Sequence, residues 1–332
     1  MAIRLMDCTL RDGGNVVGKG FPIDYTTMMI EGLIRSGITT IEMGNCVGIG
    51  AYKSQGDAAP ATDEEYLQCI QPYLGKAEIG MFCGWKNGTE ENIALAAKYG
   101  LKFLRIGANA GDGANAVEAI KRVKAAGLKC RYSMMKAYVL TPEELAEEAA
   151  MVAAAGLDEI TIMDSAGTMM PEDAAAYTKA LKAKVSIPVA FHGHNNLGLS
   201  VANALAAYEA GAEVFDCGLL GMARSAGNCA TELAAATFKR LGLLEDVDLF
   251  ALLDFEDKEL IPAMEKYSYH VAVKPFDLVL GLAGAHSSFT NAFKEVAAEN
   301  NVNLYQLILE VSKINRKNPG NALMEEVAAK LK

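Results

Sequence analysis

KCRYSMMKAYVLTPEELAEEAAMVAAAGLDEITIMD, residues 129–164, reads as strand, helix, strand. KCRYSMM and EITIMD are apolar runs too short for helices. Between them Thr141 can cap a helix, Pro142 fits its first turn, Glu144 completes a capping box and Gly156 ends it. The same alternation extends in both directions. IRLMDCT, TTIEMG, EIGMFCG and FLRIGA come before, PVAFHGH and EVFDCGLLG after, which makes eight strand-like runs with helical segments between them. Parallel strands need helical crossovers, and eight βα units match closure into a (β/α)8 TIM barrel; an open doubly wound sheet is the alternative.

Past Leu244 the alternation stops. FALLDFEDKELIPAMEKYS, DLVLGLAGAHSSFTNAFKEVAAEN, NLYQLILEVSKI and NALMEEVAAKLK read as amphipathic helices. The expected division is a catalytic barrel at 1–244 and a helical subdomain at 245–332, with no low-complexity linker, packed near the barrel mouth. The stretch GIGAYKSQGDAAPATDEE after the second strand has the composition of a mobile cover.

Hydrophobic residues form 51% of the 332 positions, yet no uninterrupted apolar run reaches the ~18–20 residues that span a bilayer. The start MAIRLMDCTLRDGG enters a strand directly, without the pattern of a secretory leader. Seven cysteines occur without a CxxC pair, and Cys8, Cys83, Cys130 and Cys217 lie in strand-like runs, as buried thiols of a cytoplasmic protein would. A net charge of −10 and scattered basic residues exclude a nucleic-acid binder. No membrane partner is expected, and a homo-oligomer is.

Chemistry gathers at the strands' C-terminal ends, where TLRDGG, MDSAG, HGHNN and GLLGMARSAGN all fall. Residues i and i+2 of a strand face the same way, so His192 and His194 can share one ion. Closure sets strand one beside strand eight, with strand seven next, and so brings in Asp12, which standing alone would be a turn residue. Asn228 can add an amide oxygen, or instead cap the helix that follows. Nitrogen and oxygen ligands without thiolate suit Mn²⁺ first, with Mg²⁺ or Zn²⁺ as alternatives. Arg11 adjoins this group and can bind an oxygen on which negative charge builds. Ser165 can hold a substrate carboxylate, or simply make a strand-to-helix turn. Glu42 and Asn45 stand behind these groups on the rim. Lys136, just past strand five, offers a Schiff-base alternative.

TLRDGG, HGHNNLG and GLLGMARSAGN resemble the superfamily of metal-dependent lyases that includes isopropylmalate synthase, hydroxymethylglutaryl-CoA lyase and 4-hydroxy-2-oxovalerate aldolase. HNNLGLSVANALAAYEAGAEVFDCGLLGMARSAGN and the later LGLAGAHSSF most resemble the aldolases. The resemblance implies a divalent ion held by Asp12, His192 and His194, a pyruvate unit chelated by it, and Arg11 stabilising the enolate. It implies reversible cleavage of a 4-hydroxy-2-oxo acid to pyruvate and an aldehyde. The alternatives are a Claisen-type synthase using acyl-CoA and a 2-oxo acid, or a metal-binding barrel without turnover.

Two positions depart from the family pattern. Where a histidine follows the arginine–aspartate pair, this chain has Asn15, which can bind substrate but cannot act as a base. Where tyrosine precedes two serines, it has His286, expected either to take over the proton transfer or only to shape the pocket. The family's pairing with an acetaldehyde dehydrogenase is a possible partnership here, although SKINRKNPGNALMEEVAAKL lacks the expected glycine–glutamine-rich run.

Overall fold

A computed structural model gives the fold of residues 3–56, 59–269 and 275–332. Its strands are β1 (Arg4–Asp7), β2 (Thr40–Met43), β3 (Glu78–Gly84), β4 (Phe103–Asn109), β5 (Lys129–Met135), β6 (Glu159–Asp164), β7 (Val189–Gly193) and β8 (Val214–Cys217). They are parallel and pair in chain order, and β1 joins β8 from Arg4 opposite Val214 to Asp7 opposite Cys217. The barrel is closed, as the eight βα units require, and the open-sheet alternative fails. The Thr141 capping box is present: Thr141 Oγ1 accepts from the Glu144 N–H at 3.2 Å, and Glu144 Oε2 accepts from the Thr141 N–H at 2.8 Å.

Alternate strand positions meet inside the barrel. Met6, Cys8, Phe103, Ala190 and Val214 form an apolar plug. Two residues further along β4, β7 and β8 come Arg105, His192 and Asp216, which must face the same interior. Arg105 is fully buried and donates Nε and Nη2 to Glu42 at 2.6 Å each, and Nη1 to Asp216. Leaving one partner of such a buried ion network unpaired costs several kcal/mol, of order 3–5, so its members stand or fall together.

Residues 245–332 do not make one unit. Helices Leu249–Phe255 and Ile261–Met264, with the π-turn Glu256–Leu260 between them, bury Leu252, Phe255, Leu260 and Met264 in the barrel's own core. Their apolar faces meet the helix Ile23–Arg35, where the Phe255 ring sits against Gly32 and Tyr25 Oη donates to the Ala263 carbonyl at 2.9 Å. A second core holds Leu280, Phe293, Val296, Leu307, Ile308, Val311 and Met324. The first helices past the boundary expected at Leu244 therefore pack with the barrel. Among the described residues no helix is long and apolar enough to cross a membrane.

Two local expectations change. The stretch 277–300 is not one helix: Pro275–Ala283 ends before Gly284, whose φ of +68° breaks it, and Thr290–Asn300 starts afresh. The described part of 48–65 is tied to its neighbours at its first residues. Ile49 N–H donates to the Phe82 carbonyl at 2.9 Å, Gly50 N–H to Asp63 Oδ2 at 2.8 Å, and Ala51–Gln55 is helical. Residues 57–58 of that stretch lie outside the described ones.

Candidate active site

Closure brings the expected metal residues together. Asp12 Oδ2 is 3.6 Å from His192 Nε2 and 3.9 Å from His194 Nε2. One ligand atom from each lies within 4.8 Å of the others, and all three residues are buried. His192 gives Nδ1 to Asp216 Oδ2 at 3.0 Å, which leaves Nε2 with its lone pair. That Nε2 is buried and makes no hydrogen bond among the described residues. Asn228 donates Nδ2 to Asp12 Oδ2 at 3.1 Å, while its Oδ1 is likewise buried without a partner. It does not cap the next helix, because Thr231–Arg240 starts after Ala230. Orphaned acceptors beside a carboxylate are what a hard or borderline cation would satisfy, so this donor set fits a divalent ion.

The electrostatics agree. Burial alone would raise the Asp12 carboxyl, but Arg11, His194 and His192 hold it well below the usual carboxylate range. Burial, helped by His192 and Arg224, pushes His194 down to about 3 against the pull of Asp12, so the ring is neutral and able to ligate. Cys8, His192 and Asp216 form a second close group. There, however, Arg105 donates to both Asp216 and Cys8 Sγ, and burial first, then Asp216, holds the Cys8 thiol well above its ordinary range. A guanidinium occupies that place and the sulfur stays protonated.

Arg11 is clamped: Nε donates to Glu42 Oε1 at 2.6 Å, Nη1 lies 3.2 Å from Asp12 Oδ1, and its guanidinium carbon is 5.1 Å from the Phe82 ring centre. Its Nη2 is buried and has no partner among the described residues. A cavity of about 400 Å³ is lined by Arg11, Asp12, His192, His194, Ser165 and His286. Ser165 Oγ accepts from the Lys136 N–H at 2.9 Å, which leaves the hydroxyl proton to give.

The remaining candidates are placed differently. Asn15 is not in the lining; its Nδ2 donates to the Asp12 carbonyl at 2.8 Å and its Oδ1 accepts Arg224 Nη2 at 3.2 Å. It braces two lining residues. Lys136 is also outside the lining, and its Nζ donates to the Lys317 carbonyl at 2.9 Å. Asn45 Oδ1 accepts the Val47 N–H at 2.9 Å within its own turn.

His286 reaches the cavity because its chain segment docks closely. At Gly281 a Cβ would fall 2.5 Å from Asn196 Cβ, so only glycine permits that approach. The break at Gly284 then turns His286 into the lining. Its Nδ1 is 2.8 Å from Ser288 Oγ and 3.2 Å from the Ser288 backbone nitrogen. Burial first, then Arg224 and Lys136, pushes the imidazole well below its ordinary range.

The HMGL-like family model matches residues 2–258. The chain belongs to this family. Over 329 residues this HMGL-like chain is 33% identical to the 4-hydroxy-2-oxovalerate aldolase of Carboxydothermus hydrogenoformans, covering 99% of the chain and 97% of that protein. It is 34% identical over 311 residues to 4-hydroxy-2-oxovalerate aldolase 2 of Nocardia farcinica, covering 94% and 89%. The carboxyl transferase domain of Rhizobium etli pyruvate carboxylase with pyruvate and biocytin superposes with a TM-score of 0.79 at 17% identity, covering 99% of this chain and 61% of that one. For HMG-CoA lyase from Brucella melitensis the TM-score is 0.64 at 19% identity, covering 80% and 99%. These structural likenesses concern the fold alone.

Several members of the HMGL-like site are not singled out by sequence reasoning. Arg105 and Asp216 carry a signal, since charges inside apolar strands must be paired when buried. Arg224 lies within the quoted GLLGMARSAGN, and Trp85 is the one tryptophan of the chain.

Proposed function

We propose that this chain is a divalent-metal-dependent, pyruvate-type aldolase that reversibly cleaves a 4-hydroxy-2-oxo acid to pyruvate and an aldehyde. It is a carbon–carbon lyase, as its curated relatives are by name. The observation that carries the reading is Arg11 Nη2, without a partner among the described residues, in the same cavity as the Asp12, His192 and His194 cluster.

Asp12, His192 and His194 would hold the ion, with Asn228 as a fourth donor and manganese as first choice. When bound, the ion supplies Lewis-acid polarisation of the 2-oxo group. Arg11 Nη2 donates to the oxygen on which negative charge grows, and its clamp to Glu42 means no reorganisation is needed at that moment. Ser165 donates a hydrogen bond from its hydroxyl to the substrate carboxylate. Neutral His286 takes the 4-hydroxyl proton at Nε2 once its own ring proton sits on Nδ1 facing Ser288 Oγ, in place of the bond that Nδ1 accepts from the Ser288 N–H. The C3–C4 bond breaks, its electrons pass into the pyruvate enolate, and the aldehyde separates. Protonation at C3 completes pyruvate; condensation is the reverse. Asn15 keeps Asp12 and Arg224 in place.

Pyruvate methyl deuterium exchange in the presence of Mn²⁺ is the decisive test, because a site that stabilises the enolate exchanges without any aldehyde. Manganese binding without exchange would reduce the chain to a metal-holding barrel. All seven cysteines are free thiols, in keeping with the cytoplasm. A homo-oligomer and a dehydrogenase taking over the aldehyde complete the proposal; light scattering and co-purification test them.

A further inference from the structure

The cavity wall farthest from the two histidines has a chemistry of its own. In a barrel paired in chain order, β3 and β4 stand across from β7 and β8. The segment leaving β3 brings Trp85, Lys86 and Asn87 into the lining, and Asn109 joins from the end of β4. Gly84 adds room, since nothing lies within 4 Å of where its Cβ would stand.

Charge in the lining is unbalanced. Arg11, Lys86 and Arg224 face a single carboxylate, Asp12. Arg11 is held by Glu42 and Asp12, and Arg224 by Asn15. Lys86 makes no ion pair among the described residues and leans over the Trp85 ring at 5.4 Å. Its neighbour Asn87 is only 6% exposed and turns into the same cavity lining. An ammonium can only donate, and the side-chain amide beside it offers two further N–H donors.

We propose that the preferred substrates are 4-hydroxy-2-oxo acids whose aldehyde half ends in an anionic group, carboxylate or phosphate, bound by Lys86 and Asn87. The proposal rests on the aldolase reading above. With the oxo-acid end anchored beside β1 and β7, the aldehyde portion crosses toward β3 and β4, past Phe82 and Trp85, and its tail meets Lys86 at the rim. The bond changes are those already given, and no further reactant is needed; the products are pyruvate and an anion-bearing aldehyde.

The test is condensation of pyruvate, with Mn²⁺ supplied, against matched aldehydes: 4-oxobutanoate beside butanal, and glycolaldehyde phosphate beside glycolaldehyde. At least one charged member should be preferred in kcat/KM by about fivefold, the size of a half-exposed ion pair, and the preference should fade with salt. The pair that shows it tells carboxylate from phosphate. Lys86→Met should lower kcat/KM for the charged aldehyde about fivefold more than for its neutral partner, mainly through KM, and Lys86→Arg should restore it. Equal rates within both pairs, or an equal loss for both members in Lys86→Met, would overturn the assignment. Methyl exchange of pyruvate run alongside separates the two failures: exchange without charge preference sinks this inference alone, whereas absence of exchange sinks the aldolase reading as well.

Discussion

Asp216 Oδ2 takes the Nδ1 proton of His192 at 3.0 Å and receives Nη1 of Arg105 on the same oxygen. One carboxylate therefore fixes the tautomer of a metal-facing imidazole and closes a buried ion network. Burial would raise it, but Arg105 first and His192 next hold it at about 2.

Asp216→Asn keeps the shape and removes the charge. Manganese affinity should fall about 10–100-fold, the usual effect of losing such a supporting carboxylate. Titration of Mn²⁺ followed by electron paramagnetic resonance checks it. Unchanged affinity in a folded variant would show that His192 does not depend on Asp216.

Arg11→Lys should retain manganese but lose about 10²–10³ in kcat, because a single ammonium centre cannot occupy the separate positions at which Nε meets Glu42, Nη1 meets Asp12 and Nη2 faces the substrate. Steady-state cleavage rates together with metal stoichiometry separate the two effects. A lysine variant with near-normal kcat would remove Arg11 from enolate stabilisation.

His286→Ala should cost about 10²–10⁴ in turnover with metal content intact. Ser288 decides the tautomer: its hydroxyl can accept Nδ1–H, whereas its backbone N–H needs the Nδ1 lone pair. Ser288→Ala should therefore slow cleavage, and Ser288→Thr should restore it. With His286 held below its ordinary range, the acid limb of kcat/KM belonging to it lies below pH 6.5. A limb unmoved by His286→Ala would assign it to another group.

Glu256 and Glu232 are hydrogen-bonded carboxyls, and burial, then Glu232, pushes Glu256 from 4.5 up to about 9. Between those values the folded protein holds a proton that the unfolded chain releases, so stability falls as pH rises from about 4.5 to about 9. Glu256→Gln lacks this slope. Its stability relative to the parent should grow by a few kcal/mol over that range and then level off. Denaturant unfolding at pH 5, 7 and 9 measures it; parallel pH curves for the two proteins would refute the shift.

The barrel was legible because a parallel strand between helices leaves a local record: an apolar run, then a helical pattern, repeated eight times and marked most clearly by the capping box at Thr141. His192 and His194 were legible because i and i+2 of an extended chain share a face, although β7 ends at Gly193 and His194 stands one residue past it. The second helical core was misplaced because amphipathicity says that a helix buries a face and not against what; Phe255 chose Gly32. Arg224 and Trp85 left no spacing to read, and Asn228 could serve either as a cap or as a metal ligand.

The order of strands and helices, and the pairing of the two histidines, follow from the chain itself, because they depend on residues close together in sequence. Tertiary structure alone decided that Asp216 locks His192, that Arg11 keeps one N–H unspent, and that a break at Gly284 carries His286 into the cavity. Each of these joins residues far apart in the chain, and only closure of the barrel and the docking of its appended helices sets the distances on which hydrogen bonds and charge depend.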